Sequence, residues 1–247
     1  TGAENVAVGN NAMQVNTTGS SNVAVGRDAL VNNNASNNVA IGALALNDNT
    51  TGTLNTAVGG LALDANTTGD SNTAIGYEAL SANTTASNNT AVGRQSMLSN
   101  TTGANNTAVG HEALEANTTG GTNTAFGYEA LLSNTTGGQN VAVGANALDA
   151  STTADNNCAV GYNALTSNTT GDLNTAIGNF AMGNCTNSDR NVAVGYAALQ
   201  NIAADQGDTF HTCVGYFAGN SITTATQQTH VGTNAGSSVT TGNPDWN

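Results

Sequence analysis

Asn106–Gly120 reads NTAVGHEALEANTTG, and this stretch decides the fold because the chain contains little else. Its Gly110 belongs to a series of glycines at 9, 26, 42, 59, 76, 93, 110, 127, 144, 161, 178, 195, 215 and 232. The step is 17 residues throughout, apart from one of 16 (Gly26 to Gly42) and one of 20 (Gly195 to Gly215). Fourteen copies of one unit fill the 247 residues, and self-similarity at a fixed period marks a repeat architecture.

With the Asn four residues before each such Gly as position 1, the unit is N-T/V-A-V/I-G-x-x-A-L-x-x-N-T-T-G-x-x. Seventeen residues are too few for a helical hairpin, and Thr, Val, Asn and Gly disfavour helix. Two short strands and two turns fit one coil of a solenoid. The pattern predicts a first strand over N-T-A-V-G, a second around x-A-L-x, and the main turn at N-T-T-G. The expected fold class is all-β, a parallel β-solenoid (β-roll) of fourteen coils of about 17 residues, for which the resemblance given below implies assembly as a homotrimeric fibre. Residues 1–200 form the regular repeats. Residues 201–247 form diverged C-terminal repeats, with one longer coil and Gly219 and Gly236 in place of Leu, and the pattern is expected to continue beyond Asn247.

Composition narrows the function. Asn, Ala, Thr and Gly supply 148 positions, and so polar a chain would by default be disordered, which the repeat excludes. Charged residues are 8% of the chain, against roughly 25% in ordinary soluble domains. With 3 Arg, no Lys and a net charge of −13, it lacks the basic cluster that nucleic acid or an anionic membrane requires. No apolar run approaches the ~20 residues of a membrane span, so no membrane insertion is expected. A chain opening on Thr1 instead of Met is expected to be a mature product or a fragment.

Variation between copies indicates packing. Position 4 is apolar in every copy, and position 9 is Leu or Met in the first twelve, from Met13 to Leu199. These columns are expected to form the inner ladder, with position 2 (Thr56, Val141, Cys158) also inward. Gly at position 5 indicates a positive φ or a closely approached backbone. Strand side chains alternate, which then turns position 3 outward. That column is Ala7, Ala24, Ala40, Ala57, Ala74, Ala91, Ala108, Ala125, Ala142, Ala159, Ala176 and Ala193. A solvated site would drift, so these alanines are expected to pack against another chain.

Units such as Asn72–Gly76 (NTAIG), Asn191–Gly195 (NVAVG) and Asn106–Gly120 resemble repeats of phage and giant-virus tail-fibre proteins. They also resemble the S-V-A-I-G head repeats of trimeric autotransporter adhesins. Cys213–Thr224 (CVGYFAGNSITT) is similar to the further repeats that in tail fibres often precede an intramolecular chaperone domain. The resemblance implies a left-handed parallel β-roll in a trimer, extracellular on a virion or cell surface, with a structural and attachment role. Its partners would be copies of itself and a host-surface glycan or protein receptor. The adhesin repeat is usually shorter than 17, and neither stalk nor anchor is visible here. Two alternatives stay open: a single-chain subunit of an extracellular filament, and an ice-binding β-solenoid.

Little in the chain suggests catalysis, and neither enzyme nor cofactor is expected. His111 lies in the variable position 6, and His211 and His230 fall in the last two copies, with no Ser or acid brought to them by the period. Cys158, Cys185 and Cys213 occupy positions 2, 12 and 3, so no pair stacks in register. Asn16, Asn49, Asn66, Asn83, Asn100, Asn117, Asn134 and Asn168 each begin an N-T-T glycosylation sequon, and Asn34, Asn88, Asn105 and Asn184 begin others. The competing explanation is that Asn and Thr close turns and form ladders. Tyr77, Tyr128, Tyr162, Tyr196 and Tyr216 share position 6, and Glu78, Glu112 and Glu129 share position 7. That stripe is either a surface for a glycan or peptide or a solvated edge, and the acidic and Asn columns are candidate Ca²⁺ ligands. Finally, if position 3 faces a three-fold axis, Cys213 and His230 from three chains converge there as transition-metal ligands; otherwise they mark a loosened end.

Overall fold

The computed structural model describes residues 2–202, 209–222 and 225–239. The expected insertion in the longest coil lies outside the described residues. The fold is an all-β parallel solenoid of about thirteen coils, with no helix among the described residues. It divides into two compact units, Thr1–Asn123 and Thr124–Asn247.

The first unit holds β1 (Val6–Val8), β2 (Val23–Val25), β3 (Val39–Ile41), β4 (Thr56–Val58), β5 (Thr73–Ile75), β6 (Thr90–Val92) and β7 (Thr107–Val109). The second holds β8 (Thr124–Phe126), β9 (Val141–Val143), β10 (Cys158–Val160), β11 (Thr175–Ile177), β12 (Val192–Val194), β13 (Thr212–Val214) and β14 (Thr229–Val231). Each strand covers positions 2–4 of one repeat. Within each unit, neighbours pair in parallel with like positions opposed, as in Ala74↔Ala91 and Ala159↔Ala176. The covalent period sets this register: one lap of the chain returns each residue above its counterpart.

The strand faces are the reverse of those the sequence predicts. Position 3 points into the coil: the eleven alanines from Ala24 to Ala193 are fully buried within their own chain, and only Ala7, on β1, is exposed. Ala24, Ala40, Ala57, Ala74, Ala91, Ala108, Ala125, Ala142, Ala159, Ala176 and Ala193 are therefore lining of the coil and not an inter-chain contact, while Ala7 shares their register on β1 and is exposed. Positions 2 and 4 point outward. The interior holds Asn at 1, Ala at 3, Ala at 8, Leu or Met at 9 and Asn at 12, all buried in coils such as Asn72, Ala74, Ala79, Leu80 and Asn83. So narrow a section admits only a methyl at position 3. An invariant Ala thus reports the absence of space inside, not the presence of a neighbour outside.

The second predicted strand is replaced by turns. Positions 7, 9 and 17 have left-handed backbones, as at Glu78 (φ 56), Leu80 (φ 55) and Ser71 (φ 58). Such a backbone costs an L-residue about 1–2 kcal/mol and is worst for β-branched side chains. Columns 7 and 9 accordingly contain no Val, Ile or Thr, which explains why position 9 is Leu or Met and never Ile. These conformations keep the ladder running through the turns. The Glu78 N–H donates to Gly60 O of the preceding coil (3.0 Å), and the Leu80 N–H donates to Ser96 O of the following one (3.0 Å).

Gly at position 5 satisfies both expected reasons. Gly76 has φ 140, and a Cβ there would lie 2.3 Å from Gly93 O. Positions 3 and 9 face each other across the interior, and their sizes trade in the last two repeats. Cys213 and His230 replace Ala, and Gly219 and Gly236 replace Leu. A Cβ on Gly219 would sit 2.3 Å from the Cys213 sulfur, and one on Gly236 would sit 2.3 Å from the His230 ring. Core volume is moved across the coil here.

Two substitutions test the left-handed columns. Leu54 is an exposed position-17 residue with φ 60, where other coils carry Asn. Leu54→Asn is expected to stabilise by about 0.5–1 kcal/mol in thermal melts, because Asn tolerates this backbone. Leu80→Ile conserves volume but is expected to destabilise by about 1–3 kcal/mol.

Candidate functional site

Polar groups, unusually, occupy much of the interior. At position 1 each Asn carboxamide does two jobs. In coil 4, Asn55 Oδ1 accepts the Asn72 N–H (2.9 Å), while Asn55 Nδ2 donates to Gly69 O of its own coil (2.8 Å). The first bond ties coil to coil and the second closes the lap. At position 12 the carboxamides bond directly to one another: Asn49 to Asn33 (2.7 Å), Asn66 to Asn49 (2.9 Å), Asn83 to Asn66 (2.9 Å), Asn100 to Asn83 (3.2 Å) and Asn117 to Asn100 (2.7 Å). In the second unit this column passes through Ser151 and Cys185 to Ile202 and Ile222.

The repeat sequons are therefore not accessible. Asn49, Asn66, Asn83, Asn100, Asn117, Asn134 and Asn168 are fully buried, and Asn16, half-buried, donates to Gly19 O (3.0 Å). A glycan on any of the seven would need the coil to open, which corrects the glycosylation expectation for those positions. Asn34, Asn88, Asn105 and Asn184 are exposed.

The outward face of each sheet consists of positions 2 and 4, neither of which carries a charged residue in any repeat. Val6, Val8, Ile41 and Ile75 are exposed in the first unit, and Phe126, Val141, Ile177, Val192, Val214 and Val231 in the second. Cys158, at position 2 of β10, is partly exposed on this face, while Cys185 and Cys213 are buried, their thiols pushed up to about 12 by loss of solvent. A parallel sheet ordinarily has both faces covered. Here one face of seven strands in each unit meets solvent. The sequence signal for this was present: the apolar column 4 varied among Val, Ile and Phe, as a tolerant surface does, while column 3 stayed Ala through the first twelve copies.

The Tyr and Glu stripe lies along the turn that follows. Tyr77, Tyr128, Tyr162, Tyr196 and Tyr216 are all exposed. In the second unit the rings pack on one another: Tyr162 against Phe180 (5.4 Å, edge-on), Phe180 against Tyr196 (5.9 Å), and Tyr196 against Tyr216 (5.4 Å, stacked). The carboxylates are used between coils. Glu78 accepts from Gln95 (2.8 Å), Glu129 accepts from Asn146 (2.9 Å), and Glu112 lies 3.7 Å from Arg94, which also meets His111 (2.9 Å). Among the described residues, no three His, Cys, Asp or Glu side chains are grouped to hold a metal ion.

Cys213 and His230 do not meet on an axis. Position 3 is interior, so the axial metal expectation is corrected. Each side chain fills the space its own coil gains from Gly219 or Gly236. His211, which sequence reasoning passed over, stands in the asparagine column. It is fully buried, and its Nδ1 accepts the Gln228 N–H (3.3 Å).

The ladder predicts its own sensitivity. Asn83→Ala removes the donor to Asn66 Oδ1 and one bond each at Ala86 O and Asn100 Nδ2, which keep Asn72 Nδ2 and Gly103 O. With about 1–3 kcal/mol for the buried orphan and about 0.5–1.5 kcal/mol for each lost bond, a loss of about 2–5 kcal/mol is expected in urea unfolding. Thr85→Ala, two residues away and exposed, is expected to stay within about 0.5 kcal/mol.

No protein-family model, no curated protein and no solved structure matches this chain. The resemblance to tail-fibre and adhesin-head repeats accordingly rests on the quoted motifs, and the parallel β-solenoid itself is the firm structural conclusion.

Proposed function

We propose that the chain is a structural fibre segment, a shaft or head of tail-fibre or surface-adhesin type, which associates with copies of itself and mediates attachment to a host or surface. The single observation that carries this reading is the open, uncharged outer face of its parallel sheets, with an all-apolar column at position 4 beside Thr, Val or Cys at position 2. Covering a sheet face is the usual condition of parallel strands, and contiguous exposed apolar surface marks an interaction site. The partner that fits is another copy. Rows recur at about 4.8 Å in every chain, so two such faces match row for row. The absence of charge in columns 2 and 4 removes repulsion that a net charge of −13 would otherwise impose. A homotrimer in an extracellular fibre is the assembly that the motif resemblance favours. The Tyr edge at position 6 is then the surface left for a glycan or protein receptor.

One observation favours a second reading. Thr56, Thr73, Thr90 and Thr107 stand in consecutive strands beside Val58, Ile75, Val92 and Val109, a regular uncharged array of the kind an ice-binding solenoid presents. It would use the same face, so the two readings exclude each other.

Light scattering of the purified chain is expected to give a discrete trimer. Val92→Asp is expected to shift it to monomer with an unchanged circular dichroism spectrum. Mild oxidation should give disulfide-linked chains through Cys158, lost in Cys158→Ser. A wild-type monomer at micromolar concentration sinks the fibre reading, and a monomer showing thermal hysteresis supports the ice-binding one. Long open polymers would support the filament subunit instead.

A further inference from the structure

The asparagine column at position 1 ends in a titratable residue. Asn191 Oδ1 accepts the His211 N–H (2.9 Å) and the Thr209 hydroxyl (2.6 Å), so within the second unit the ladder runs from Asn140 through Asn157, Asn174 and Asn191 to coil 13. There His211 takes over, with Nδ1 accepting the Gln228 N–H of the next coil (3.3 Å). Accepting at Nδ1 requires the neutral imidazole with its proton on Nε2. In that form the ring reproduces the acceptor of an Asn carboxamide. A proton added at Nδ1 would set two N–H groups against each other inside the coil.

Among the described residues, the surroundings on balance disfavour the cation. Burial pulls the His211 pKa down to about 4, His230 on the next strand pulls in the same direction, and the Ala225 carbonyl only partly offsets both. Cys213, two residues along, has its thiol pushed up to about 12 and stays neutral. From the preceding coil, Asp189 offers its backbone carbonyl to Thr209, and the Arg190 guanidinium sits over the Phe210 ring at 5.7 Å. His230 fills the space beside Gly236, and its own pKa is lowered by burial.

We propose that His211 makes the C-terminal end of the coil stack an acid-released latch: the neutral ring completes the asparagine ladder and holds the coil beginning at Gln228, and the protonated ring lets that coil go while the asparagine-laddered coils stay closed. The direction follows from linkage. A histidine whose folded pKa lies below its unfolded value near 6.5 leaves stability unchanged above that pH. Stability is lost as pH falls from about 6.5 towards 4, because only the opened state takes the proton.

Hydrogen exchange on the intact chain, corrected for intrinsic rates, tests this. Protection of the Gln228 and Gly219 amides should fall roughly fifty- to a hundredfold between pH 7 and pH 4.5, the change one proton allows over that range. Protection at Thr73 and Thr90, in asparagine-laddered coils, should hold. His211→Asn restores the repeat's own residue and should abolish the fall, whereas the paired change His230→Ala with Gly236→Leu should retain it. Flat protection at Gln228 in the wild type, or an equal fall in His211→Asn, overturns the latch. If His211→Asn does not fold, the imidazole titration of the wild type by NMR decides: a His211 midpoint near 6.5 overturns it, and one well below supports it.

Discussion

Two buried carboxamides per coil are the interaction on which this structure depends. A coil of seventeen residues encloses too little apolar volume to be held by hydrophobic burial alone, and its interior contains an Ala pair and a single Leu or Met. Asn at position 1 closes each lap and ties it to the next, and in the first unit Asn at position 12 forms a second continuous chain of bonds. Each carboxamide is satisfied only if the coils before and after it are in register. A buried polar group without its partner is costly, so the ladders specify register as well as stabilise it.

The rest of the pattern follows from this narrow, polar interior. Position 3 is limited to Ala because position 9 projects at it from the opposite wall, and when position 3 enlarges to Cys213 or His230, position 9 retreats to Gly. Position 9 must be unbranched at Cβ because its backbone is left-handed. Position 9 keeps one Leu or Met inside, while the larger apolar side chains of the strands themselves, at positions 2 and 4, lie on the outer face. Along this wall the usual relation is inverted: carboxamides at position 1 are inside, and Val, Ile and Phe are outside. Such a surface is suited to lateral association, and its freedom from charge matters in a chain this acidic.

The departures from the repeat are concentrated in the second unit and share a logic. Column 12 gives up its ladder for Ser151, Cys185, Ile202 and Ile222, and column 1 ends in His211 and Gln228. Hydrogen-bonded carboxamides yield to apolar volume on one side and to an imidazole on the other. The coils remain paired through β12, β13 and β14, so the backbone ladder tolerates a change of filling that the side-chain ladders do not survive.

The period, the all-β solenoid and the need for Gly at position 5 were legible in the sequence, because a lap length and a positive φ leave their mark on every copy. The asparagine turns were legible too, with both of their explanations open, and burial chose between them. What the sequence could not decide was parity. Alternation separates Ala at 3 from Val at 2 and 4, but it does not say which set is inside, and apolar character pointed the wrong way. Only the tertiary structure decides it, because the answer depends on the distance across the coil to Leu at position 9. The x-A-L-x stretch, read as a strand, is built of left-handed turns, which a pattern of apolar spacing does not reveal. The same parity places Cys213 and His230 in the interior of their own coils instead of on an axis.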